Sequence, residues 1–113
     1  MSGEGKHPGG DKESWRVDSA SLADVRREID ALDAQIAPLL CRRLFFVKQA
    51  AKFKSSKETV VVPARVEEIV GKVRAEATGH GANPDVIEHI YRTIIDDFTA
   101  EEKKNWDTLH PKT

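Results

Sequence analysis

Apolar residues recur three and four apart along three separate stretches of the chain, the spacing of one face of an α-helix. In the first they fall at Leu22, Val25, Ile29, Leu32, Ile36, Leu39, Leu40, Val47, Ala50 and Ala51. They predict a helix from Leu22 to Phe53, opened by Ser21 and Asp24 in a capping-box arrangement. Such a helix spans on the order of 45 Å, more than the diameter of so small a domain, so a partner chain is implied from the start. Pro38 lies inside it and predicts a kink near residues 34–38, with the helix resuming because the apolar spacing continues. From Lys54 to Val62 the helical pattern lapses. Val60, Val61 and Val62 have no second strand to pair with, so this segment is expected to be a loop, suited to a lid. Pro63 opens a second helix to about Ala77, with Val66, Ile69, Val70 and Val73 inward and Gly79 as its expected stop. Asn83, Pro84 and Asp85 start a third, whose stripe of Ile87, Ile90, Tyr91, Ile94, Ile95 and Phe98 continues to Trp106. The prediction is an all-α domain at residues 19–107, with a flexible leader at 1–18 and a short tail at 108–113.

Composition narrows the function classes. Charged residues make up 33% of the 113, with 18 basic against 19 acidic. That balance argues against general affinity for nucleic acid or an anionic membrane. No apolar run is long enough to span a bilayer, and residues 1–11 lack the apolar core of a signal peptide, so a cytoplasmic protein is expected. Cys41 has no intrachain partner and sits within the helical pattern, where a small buried or half-buried hydrophobe is the expected role. The four histidines show no ligand spacing, and no metal site is expected.

The informative residues are charges where apolar residues belong. Arg43 follows Leu39 and Leu40 and precedes Val47 on the inward face of the first helix. Glu102 is reached from Tyr91, Ile95 and Phe98 by steps of four, three and four. Burying either alone is costly, so each needs an opposite charge or a polar ligand. They pair with each other in the core, or they mark a binding site. Lys54 is eleven residues from Arg43, a spacing that returns to nearly the same helix face about 16 Å further on. A solvated lysine is the plainer reading of it. Arg65 falls in the first turn of the second helix, where a cation is disfavoured unless an anion also binds there. Arg26 is about 25 Å from Arg43 along the axis, so one small ligand reaches both only if two long helices run antiparallel in a dimer.

The stretches LADVRREIDALDAQI, LLCRRLFFVKQAAKFK, PARVEEIV and IYRTIIDDFTAEE, in this order and spacing, resemble the all-α class of chorismate mutases and the related isochorismate-pyruvate lyases. The resemblance runs from Leu22 to Trp106. It implies an intertwined homodimer of three-helix protomers with two active sites, each borrowing an arginine from the partner. Matched by position, the borrowed arginine is Arg26, the principal in-site arginine Arg43, the catalytic lysine Lys54 and the second-helix arginine Arg65. Glu102 takes the position facing the substrate's ether oxygen. The implied substrate is a small dicarboxylate, chorismate or isochorismate, and no cofactor is implied. The rearrangement of chorismate to prephenate needs only a compact reactive conformation and positive groups where charge develops.

Three departures stand out. Glu102 replaces the glutamine common in the family, and because an ionised carboxylate would repel the ether oxygen, Glu102 is expected to act protonated. Val66 stands where bacterial mutases carry an acid after the second-helix arginine, so a hydroxyl contact is missing. The Phe53-Lys54 pair and the gap to Arg65 resemble the lyases. Chorismate mutase is the first reading and isochorismate-pyruvate lyase the second. An enzyme acting on an amino-substituted chorismate and a non-catalytic helical dimerisation module are the remaining ones.

Overall fold

The computed structural model describes residues 14–111. Of the expected leader, residues 1–13 lie outside the described residues, as do 112–113 of the tail. The described residues form three α-helices: α1, Leu22–Ala50; α2, Pro63–Gly79; and α3, Pro84–Leu109. No strand occurs among the described residues. No helix among them is long and apolar enough to cross a membrane.

The chain divides into two compact units at Ala37 and Pro38. The N-terminal unit contains the first half of α1. Ser21 Oγ accepts from the backbone N–H of Asp24 at 3.1 Å, satisfying one of the free donors of the helix start. The Asp24 carboxylate does not complete a reciprocal box but pairs with Arg27 one turn on. Its apolar stripe is open: Leu22, Ile29, Leu32 and Ile36 are all at least half exposed. Pro38 lies inside α1, which continues past it to Ala50.

The C-terminal unit holds the core. There α1 ends three residues earlier than its pattern predicts and tightens into a 3₁₀ turn, Ala51–Phe53. The following loop is partly helical as well, with a second 3₁₀ turn at Lys57–Val60. A reciprocal cap holds it: Ser56 Oγ accepts from the Thr59 N–H and Thr59 Oγ1 from the Ser56 N–H, each at 3.3 Å. Val60, 5% exposed, plugs the loop into the core, which accounts for β-branched residues in a segment with no strand.

α2 and α3 pack as an antiparallel hairpin. Arg74, late in α2, meets Asp85 and Glu88 early in α3, while Glu67, early in α2, meets Arg92 further along α3. Asn83 caps α3 by accepting from the Asp85 N–H at 2.9 Å, with Pro84 in the first turn. The stop of α2 is Gly81, not Gly79. Gly79 remains helical, and Gly81 takes the left-handed φ of 72° that closes the helix. The Ala82 N–H returns to the Ala77 carbonyl at 2.8 Å and the Gly81 N–H to Thr78 at 3.1 Å, a Schellman closure. α3 also runs three residues past Trp106, so the expected tail begins as helix. Cys41, expected buried or half-buried, is exposed because nothing in the described chain covers that face of α1.

Candidate active site

A pocket of about 500 Å³ opens in the C-terminal unit, within the range of small-molecule sites. Its walls are mostly apolar, with Val47, Val66, Ile69, Ile95 and Phe98 among them. Five polar side chains line it: Arg43, Lys54, Arg65, Thr99 and Glu102. Four of the five sequence candidates therefore share one cavity. Arg26 lies in the other unit, exposed on α1, and is not among the lining residues.

Arg43 is half-buried on α1, its guanidinium carbon 5.2 Å from the centre of the Phe98 ring. No carboxylate among the described residues pairs with it. Burial pushes its ionisation below the ordinary arginine value, Tyr91 opposes this, and the charge of Arg65 adds to the lowering. An arginine stays protonated under such pressure, so the site carries a half-desolvated cation ready for an anion.

The core ion pair that the sequence left open between Arg43 and Glu102 does not form. Glu102, 5% exposed, faces the Lys54 ammonium instead, at 3.4 Å from Oε2. Lys54 Nζ also donates to the Val60 carbonyl at 3.2 Å. The buried carboxylate thus has a partner, as burial of a charge requires. Lys54 reaches the cavity by a route the eleven-residue spacing did not anticipate. The 3₁₀ turn ends at Phe53, and Lys54 has extended backbone, with φ −102° and ψ 131°.

Arg65 is exposed at the start of α2 and pairs with Glu68 of its own helix at 2.6 Å. That hydrogen bond, then the charges of Lys72 and Arg65, hold the Glu68 carboxyl below its ordinary value. An exposed pair within one helix turn is weak, so an anion in the pocket can compete for the guanidinium. The N-cap of α2, Val62, offers no side-chain acceptor to the helix start. Thr99 and the Val60 carbonyl are polar lining groups that sequence reasoning missed; neither interrupts a stripe with a charge, the signal on which that reasoning relied.

No cluster of His, Cys, Asp and Glu capable of holding a metal occurs among the described residues. The arrangement offers cations around an apolar slot, a buried carboxyl and no paired nucleophile and base. It is suited to gripping a dianion and biasing its shape.

Residues 25–103 match the family model described as chorismate mutase type II. The chain belongs to that family. It is 34% identical over 89 residues to an isochorismate pyruvate lyase of Pseudomonas aeruginosa, covering 79% of this chain and 88% of the relative. It is 33% identical over 95 residues to the T-protein of Enterobacter agglomerans, covering 82% of this chain and 26% of that protein. A bifunctional chorismate mutase/prephenate dehydratase of Aquifex aeolicus is 34% identical over 87 residues, 74% of this chain and 24% of its own. The chain thus spans about a quarter of the T-protein and of the bifunctional relative, and most of the lyase.

Proposed function

We propose that this chain rearranges chorismate to prephenate in the pocket lined by Arg43, Lys54, Arg65 and Glu102. The observation that carries the reading is the convergence of three cations on one apolar cavity, with Arg43 lacking any carboxylate partner among the described residues. In the reaction the ether C–O bond breaks as a C–C bond forms, and no nucleophile is required. Arg43 and Arg65 grip the two carboxylates and hold the substrate compact. Lys54 places a point charge at the ether oxygen, where negative charge grows. Glu102, 3.4 Å from the Lys54 ammonium, holds that charge in place towards the same oxygen.

The site is completed, in this proposal, by Arg26 from a second copy of the chain in an intertwined homodimer. The open apolar stripe of α1 supports it: Leu22, Leu32 and Leu39 are 62%, 54% and 56% exposed, more than a lone chain of this size leaves in one row.

A second reading is supported by the similarity to isochorismate pyruvate lyase along 88% of that relative. The two are separated by incubating the protein with chorismate and, separately, with isochorismate, following substrate loss and salicylate fluorescence. Prephenate from chorismate is expected. Salicylate without prephenate would give the lyase reading precedence, and no consumption of either substrate would favour a non-catalytic dimerisation module.

A further inference from the structure

Lys54 is held at both ends by one face of α3. Its ammonium meets Glu102, and four residues later on the same face Trp106 Nε1 donates to the Lys54 backbone carbonyl at 3.0 Å. Asn105 Nδ2 donates to the carbonyl of Lys48 at 2.9 Å, in the last turn of α1. The indole is itself stacked on His110, with ring centres 4.0 Å apart. Between Lys48 and Lys54 the chain changes from α-helix to 3₁₀ turn to extended backbone, leaving carbonyls without helical partners. Asn105 and Trp106 answer two of those carbonyls with side-chain donors.

We propose that Asn105 and Trp106 are positioning residues for Lys54: they fix the backbone from which the lysine reaches the cavity, and act on the reaction only through it. The proposal rests on the mutase reading for its kinetic consequences and on the fold alone for its structural ones. Neither side chain lines the pocket, so neither touches the substrate. A lysine on a flexible stem gains reach from rotamer freedom and loses precision by it, so anchoring the main chain at Lys54 removes part of that freedom before substrate arrives.

The test uses the full chain with Trp106→Phe and Asn105→Ala, each made alone and in a Lys54→Ala background. Trp106→Phe keeps most of the ring and deletes the N–H. With chorismate, each single variant is expected to lower kcat roughly tenfold with KM changed less than about threefold, since a misplaced charge costs most in the transition state. In the Lys54→Ala background each is expected to have no further effect on kcat. Equal losses with and without Lys54 would mean a general structural role and would overturn the proposal. Unchanged kcat in both single variants would overturn it as well. If Trp106→Phe does not fold, the Asn105→Ala cycle decides by the same criterion.

Amide hydrogen exchange over residues 54–60 supplies a readout that needs no substrate. Exchange about tenfold faster in the folded variants is expected, and unchanged exchange counts against the clasp. Wild-type protein inert towards chorismate, with exchange still accelerated in the variants, would refute the mutase reading and leave the clasp standing.

Discussion

Arg43 brings a charge to a half-buried position with an aromatic ring beside it and no carboxylate to meet it. Because its removal orphans no buried partner, Arg43→Ala should leave the fold nearly intact, with Tm changed by a few degrees at most, roughly the effect of 1 kcal/mol in a domain of this size. Turnover of chorismate should fall at least about a hundredfold, as for loss of a charge-stabilising group. Unfolding of the variant would instead assign the arginine to structure. Glu102 makes a different prediction. If it works by holding the Lys54 ammonium, Glu102→Gln, which keeps the shape and loses the charge, should lower turnover of chorismate about tenfold, as for a misplaced charge-stabilising group. An unchanged or raised rate in the folded Glu102→Gln variant would instead make the side chain a neutral donor to the ether oxygen. Both residues were legible in the sequence because each interrupts an apolar stripe with a charge. Their relationship was not, since periodicity places a residue on a face and leaves its partner across the fold unspecified.

At the level of the helices, the antiparallel hairpin of α2 and α3 is laced by Arg74, Glu88, Arg92 and Glu67, with Glu88 between two arginines at 2.6 and 2.7 Å. Hydrogen bonding to Arg92 first, then Arg74, holds the Glu88 carboxyl below its ordinary value. A lowered folded-state value stabilises the fold above the titration of an unfolded glutamate, and that contribution fades as pH falls through the lowered value. Glu88→Gln should therefore lower Tm near neutral pH, modestly because the network is partly exposed, and converge with wild type in strong acid. Thermal unfolding followed from pH 7 to pH 2 checks this. The start of α3 was readable because Asn83 and Pro84 act locally. The end of α2 was misplaced by two residues because glycine composition marks a stop nearby, whereas only φ at Gly81 tells which glycine turns the chain. Lys54 was placed by extending a helix that in fact tightens after Ala50, and Trp106 read as one more stripe residue because hydropathy does not register its N–H.

For the molecule as a whole, the open stripe of α1 and the position of Arg26 outside the pocket's lining lead to a complementation experiment. Arg26→Ala and Lys54→Ala chains, each impaired alone, should regain partial activity when mixed and allowed to exchange. Random assortment gives about half mixed dimers, each with one intact site, or roughly a quarter of wild-type activity. No recovery after demonstrated exchange would mean that each site is built from one chain. The clasp on Lys54 also bears on how the chain folds. The bonds from Asn105 and Trp106 close loops of 57 and 52 residues, whereas α2 and α3 meet across a connection of four residues, 80–83. Loop-closure entropy favours the near contacts, so the α2–α3 hairpin should form early and the clasp late. The cavity would then be a product of the final folding step, and a brief reversal of that step would release Lys54 while the hairpin stays intact.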